Sequence, residues 1–112
     1  MPDKSESSLG ELEALVLLAV LRCDGSAYGV PVREEVRRRA GRPLTLGTVY
    51  KTLMRLEAKG FLTATVSAPE ARRGGRRRKL YRLSGAGRRA LQRTLGALER
   101  MAHGLPLPAA TR

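Results

Sequence analysis

The sequence predicts a mainly α-helical fold with a small β-hairpin, on three observations. Four stretches repeat apolar residues at helical spacing, and two short segments between residues 61 and 83 switch to β-forming residues around Gly74-Gly75. The chain has 112 residues, room for one hydrophobic core and little more.

The first helix is expected to open at Ser8, whose spacing to Glu11 is that of a capping box, and to run to about Arg22 before Asp24-Gly25. Its apolar residues Leu9, Leu12, Leu15, Val16, Ala19 and Val20 fill more than one stripe, as expected for a helix buried on two sides. The second helix is expected from about Tyr28 to Ala40, ended by Gly41, with Tyr28, Val32, Val36 and Ala40 facing inward. Pro31 is tolerated there because it falls in the first turn, where backbone donors lack helical partners. Thr45 reads as the N-cap of a third helix that Gly60 closes. Its stripe Leu46, Val49, Leu53 and Leu56 is expected inside, with Gly47, Thr48, Lys51, Thr52 and Arg55 opposite and Tyr50 beside them.

Residues 61–67 and 78–83 read as two strands, joined by residues 68–77 with four arginines and a Gly-Gly tip. A last helix is expected from near Ser84 to about Gly104. Leu91, Leu95, Leu98, Ala102 and Leu105 form a heptad-like stripe along it, suited to packing on another helix. The expected organisation is a disordered tail (1–8), a main domain (9–83), a terminal helix suited to dimerisation (84–105) and a frayed tail (106–112).

Charge narrows the partner. The formal net charge is +12, yet residues 1–24 carry five acids against two bases, so the excess lies further on. No acid occurs between Glu70 and Glu99, and an acid-free basic stretch in a folded domain suggests a polyanion, with phosphate foremost. The alternative is a solvated face serving solubility. Aromatic residues make up 4% of the chain, so its core is thin and dimerisation would help stabilise it. Cys23 is the single cysteine, which excludes an intramolecular disulfide. The polar first residues are unlike a signal peptide, and the longest apolar run, 14–21, is too short to cross a bilayer, so a cytoplasmic protein with no membrane partner is expected.

Helices two and three, joined by a short turn, make a helix-turn-helix candidate. A helix entering the major groove needs an apolar back and a polar front, with small residues at its start for close backbone approach. The expected DNA contacts are Thr45, Thr48, Tyr50, Lys51 and Arg55 from this helix. The hairpin would be the wing, placing Arg72, Arg73, Arg76, Arg77, Arg78 and Lys79 on the phosphate backbone. The full expectation is a winged helix-turn-helix plus a C-terminal dimerisation helix, with Leu9, Leu12, Val16, Leu91, Leu95, Leu98, Ala102 and Leu105 at the dimer interface.

Three segments carry a family resemblance: Tyr28-Gly29-Val30, Leu46-Gly-Thr-Val-Tyr-Lys-Thr-Leu-Met-Arg-Leu-Glu-Ala-Lys-Gly-Phe-Leu62 and Gly75-Arg-Arg-Arg-Lys-Leu-Tyr-Arg-Leu-Ser-Gly-Ala-Gly-Arg88. Over about residues 9–103 the chain resembles the PadR family of transcriptional regulators, in its short subgroup with a single terminal helix. The resemblance implies a homodimeric repressor of double-stranded DNA, often relieved by a small-molecule inducer. Many members have proline after the motif tyrosine; here Lys51 follows Tyr50 and adds a candidate phosphate contact. Some relatives hold flat drug-like molecules between aromatic side chains at the dimer interface. With no Trp, one Phe and three Tyr, this chain does not support that role.

Other signals read blandly. Gly85-Ala86-Gly87 mimics part of a dinucleotide fingerprint but lacks the parallel strand and acid that should follow, so the glycines are expected only to permit a tight turn, and no cofactor is expected. Cys23 is read as a packed side chain rather than a redox sensor, and His103, without companion ligands, as a surface residue with no metal. Tyr50 and Tyr81 can touch phosphate or pack by their rings. With one Cys and one His, no catalytic triad, metal cluster or phosphate-binding loop assembles, so an enzyme is not expected. The alternatives are a ligand-sensing regulator of the same fold and a non-specific nucleic-acid-binding protein.

Overall fold

The computed structural model describes residues 9–67 and 78–107. The expected tail at 1–8, residues 108–112 of the expected tail at 106–112, and Arg72, Arg73, Arg76 and Arg77 of the hairpin lie outside the described residues. The elements run α1 (Glu11–Arg22), α2 (Gly29–Ala40), α3 (Leu46–Ala58), β1 (Leu62–Val66), β2 (Lys79–Leu83) and α4 (Gly85–Ala102).

α1 is the central element, packing against α2, α3, β2 and α4. That explains its broad apolar surface: Val16 and Leu17 are fully enclosed, and Ala14, Ala19 and Val20 are buried around them. Its start differs from the expectation. The helix begins at Glu11, so the N-cap is Gly10, and the Glu13 carboxylate reaches back to accept the Gly10 N–H at 3.2 Å. Glu13 is also buried against Lys59, whose ammonium donates to both carboxylate oxygens at 3.0 and 3.2 Å. One carboxylate thus fixes the start of α1 and the end of α3 together.

α2 ends at Gly41, which takes the left-handed conformation (φ 66°) that a side chain disfavours. Val32 and Val36 face inward as expected, whereas Ala40, on the last turn, is exposed. α3 buries Val49, Leu53 and Leu56 completely; Thr52, expected on the outer face, is also buried. A buried hydroxyl needs a partner, and the Thr52 hydroxyl donates to the Thr48 carbonyl of its own helix at 2.8 Å.

β1 and β2 form an antiparallel hairpin in the register Leu62↔Leu83, Ala64↔Tyr81 and Val66↔Lys79. Beyond its ends the Ser67 N–H donates to the Arg78 carbonyl at 2.8 Å. On the other side of β2 the Tyr81 N–H donates to the Ala27 carbonyl at 2.9 Å, which ties β2 to the α1–α2 connection. Nothing in the composition around Ala27 announces that pairing.

α4 is clamped to the turn that follows α3. The Ser84 hydroxyl caps the helix by accepting the Gly87 N–H and donates to the Gly60 carbonyl at 2.6 Å, while the Ser84 N–H donates to the Phe61 carbonyl at 3.1 Å. Gly85 and Gly87 therefore belong to the first turn of a helix and not to a turn before it. A Cβ on Gly87 would overlap the Phe61 carbonyl oxygen and lie 3.0 Å from its carbon. Two of the residues expected at the dimer interface are enclosed in the chain's own core: Val16 is fully buried, and Leu91 is buried with its neighbour Ala90. Both stripes run through the part of their helix that dips into the chain's own core, which periodicity alone does not reveal.

Cys23, at the end of α1, is half-buried and packs on the core. Burial pushes its thiol pKa up, the Glu35 carboxylate adds to that, and Arg38 opposes it. Its environment therefore disfavours the reactive thiolate.

Gly87→Ala should destabilise the fold by about 1–3 kcal/mol, because backbone atoms must yield to the added methyl. Urea unfolding followed by circular dichroism measures this, with a midpoint well below that of the unaltered chain expected.

Candidate nucleic-acid interface

Thr45 sets the entry to α3. Its hydroxyl oxygen accepts the Thr48 N–H at 3.1 Å, and its hydroxyl lies 2.9 Å from that of Thr48, donating to it. The cap satisfies one of the free donors of the first turn and leaves the helix start facing outward. Thr45, Gly47, Tyr50, Lys51 and Arg55 are exposed, and Thr48 is half-buried. A Cβ on Gly47 would meet nothing closer than the Thr45 hydroxyl at 4.0 Å, so internal crowding does not require this glycine. The outer face of α3 is small at its start and cationic further along.

The distribution of ion pairs separates α3 from α2. On α2, Arg37 pairs with Glu34 at 2.7 Å, Arg39 with Glu35 at 3.0 Å, and Arg38 also with Glu35. The Glu34 carboxyl is accordingly held below its usual range, first by the hydrogen bond from Arg37 and then by that residue's charge. Arg42 reaches across to Glu11 at 2.8 Å. Lys51 and Arg55 have no such carboxylate among the described residues. Two carboxylates are thus shared among the four arginines of α2, which keeps a net charge of +2, while Lys51 and Arg55 on the outer face of α3 have none among the described residues.

The described base of the hairpin is tied to the helices. The Lys79 ammonium pairs with Glu57 in the last turn of α3 at 2.9 Å, and this contact holds its pKa above the usual lysine range. The same ammonium lies 5.6 Å from the centre of the buried Tyr81 ring. The Arg78 guanidinium stacks over Tyr28, the N-cap of α2, at 4.5 Å from the ring centre. The next residue, Gly29, lies under the Tyr50 ring of α3.

The structure therefore joins Tyr50 and Arg78, two of the expected contacts, through Tyr28-Gly29 at the start of α2. Lys79 is engaged by Glu57, while Tyr81 packs in the core. Sequence reading missed the Glu57–Lys79 pair, the Arg78–Tyr28 stack and the Tyr50–Gly29 contact. Each joins residues distant in the chain, and the single available signal was the Tyr-Gly dipeptide.

A second surface lies away from this one. α1 and α4 flank an apolar groove of about 680 Å³ lined by Leu9, Ala14, Leu15, Leu18, Leu95 and Leu98 among others. Past Leu91 the apolar residues of α4 are open: Leu95 is 42% exposed, Leu98 64% and Met101 77%, with Leu105 beyond the helix at 56%. Ala102 is exposed, while Leu9 and Leu12 are half-buried against the core. His103 is exposed at the C-cap of α4, and no cluster of metal-ligating side chains occurs among the described residues. No described helix is long and apolar enough to cross a membrane.

Comparison with known proteins agrees with this architecture. The family model of the PadR-like transcriptional regulators matches residues 17–93. A transcriptional regulator of Mycobacterium tuberculosis is 37% identical over 91 residues, covering 80% of each chain. The crystal structure of a PadR family transcription regulator from Clostridium difficile superposes with a TM-score of 0.62 at 29% identity, covering 85% of this chain and 100% of that one. Bacillus subtilis PadR in complex with operator DNA shares the fold, with a TM-score of 0.60 at 17% identity over 90% of this chain and 52% of that one. From the matched span and the identity to its relatives, the chain belongs to the PadR-like family of transcriptional regulators.

Proposed function

We propose that the protein is a homodimeric, sequence-specific DNA-binding repressor that lays α3 in the major groove and its basic hairpin along the phosphates. The observation that carries the reading is the asymmetry of α3. Val49, Leu53 and Leu56 are fully enclosed behind it, and Lys51 and Arg55 stand in front without a carboxylate partner among the described residues. A fixed helix with uncompensated cations and small residues at its leading end suits a duplex edge. The Bacillus subtilis relative solved with operator DNA supports the choice of ligand.

The dimer reading draws on the α1–α4 groove and the open apolar ridge beside it. Exposed leucines and a methionine at helical spacing suit the helix of a second copy, and two-fold pairing would present two α3 helices to sites about one duplex turn apart. No aromatic side chain lines the groove among the described residues, which favours a helix over a flat aromatic ligand as its occupant.

Lys51→Ala should weaken binding to a duplex selected from a random pool by roughly tenfold, as loss of one contact from a recognition helix does. Neutralising Arg76, Arg77 and Arg78 together should weaken binding to all duplexes and flatten the dependence on salt by about 0.9 per lost phosphate contact. Fluorescence anisotropy across a salt series reads both, and unchanged affinity and slope in the triple variant would remove the hairpin from the interface. For the dimer, Leu98→Glu with Met101→Glu should give a folded monomer by sedimentation equilibrium. A persisting dimer would place the interface elsewhere.

A further inference from the structure

Gly29 is the first residue of α2 and is buried, although it lies at the start of an amphipathic helix next to the exposed Val30. Its backbone does not call for glycine, since it is absent from the positive-φ positions Gly25, Gly41, Gly60 and Gly104. Alanine would favour the helix more. What the position needs is room. A Cβ there would lie 2.6 Å from Cζ, 2.7 Å from Cε1 and 2.7 Å from the hydroxyl oxygen of Tyr50. The ring of Tyr50 therefore lies across the bare backbone of Gly29, covering it while remaining 43% exposed itself. On the other side, Tyr28 is held under Arg78 at 4.5 Å.

We propose that Gly29 is a positioning residue for DNA recognition: its missing side chain seats the Tyr50 ring, and the seat sets where the Tyr50 hydroxyl meets the duplex beside Lys51. This rests on the reading of α3 as the DNA-contacting helix. The atoms that would collide belong to the far end of a side chain that is already half in solvent. A methyl at residue 29 is therefore accommodated by moving the ring to another rotamer and not by moving backbone. That distinguishes Gly29 from Gly87, whose neighbour is a carbonyl. The same substitution should spare the fold at one glycine and strain it at the other. The seat also couples the interface to the hairpin, because Tyr28 and Gly29 are adjacent and each holds a side chain from a different DNA-facing element.

The test is a double-mutant cycle in the full chain with Gly29→Ala, Tyr50→Ala and both together. Affinities are read by anisotropy against the duplex that the unaltered protein selects from a random pool, and thermal midpoints are read alongside. The expected result is that Gly29→Ala binds roughly tenfold more weakly with an unchanged or raised midpoint. In the Tyr50→Ala background it should cost nothing further. Equal losses with and without Tyr50, or unaltered binding by Gly29→Ala, overturn the proposal. So does a fall in midpoint that Tyr50→Ala does not restore, which would assign Gly29 to packing. If the unaltered chain selects and binds no duplex, the reading of α3 fails first and the role of Gly29 falls with it. That result is seen before any variant is compared.

Discussion

Val49, Leu53 and Leu56 have no exposed surface, and Thr52 beside them spends its hydroxyl on the Thr48 carbonyl. Enclosing a leucine or valine side chain is worth about 1.5–3 kcal/mol. Rolling α3 by one position would return several of these groups to water and leave the Thr52 hydroxyl in the wrong surroundings. α3 thus has one allowed rotation about its axis, and that rotation decides which residues face outward. The Glu13–Lys59 contact adds a second constraint at the far end of the helix, tying its C-cap to the first turn of α1.

Given that rotation, charge is sorted by where carboxylates are available. Glu34 and Glu35 sit among the four arginines of α2 and offset half of their charge, whereas the outer face of α3 has no acid until Glu57, which Lys79 occupies. Exposed ion pairs of this kind contribute little to folding. Their consequence is electrostatic: they halve the positive charge of α2, and they hold the base of the hairpin next to the end of α3. The clamp of Ser84 onto Gly60 and Phe61 then fixes α4 to the other end of the same turn. The helix that carries the exposed leucines is therefore referenced directly to the end of α3.

Much of this was legible in the sequence because it depends on local rules. Thr45 as a cap, Gly41 and Gly60 as stops, and the stripe of Leu46, Val49, Leu53 and Leu56 follow from spacing alone, and each stands in the structure except that Leu46, on the first turn, is half-buried. Errors arose where a local rule met a packing neighbour. Polarity places Thr52 outward, yet its hydroxyl finds a backbone partner and the residue is buried. The spacing of Ser8 to Glu11 predicts a cap there, but the helix starts later and Glu13 serves Gly10 instead. Val16 and Leu91 continue apolar stripes without reaching the surface. For the candidate interface, the outward residues of α3 were legible from amphipathicity. The links among Tyr50, Gly29, Tyr28 and Arg78 were not, since they depend on how three elements come together.

The most direct measurement is a backbone-amide NMR titration of the labelled protein with a selected duplex. The account predicts the largest changes at Thr45, Gly47, Thr48 and Lys51 and at Arg78, with the amides around Leu17 and Leu53 nearly still. Changes concentrated on the α2 arginines or on α4, with the first turns of α3 unmoved, would contradict it.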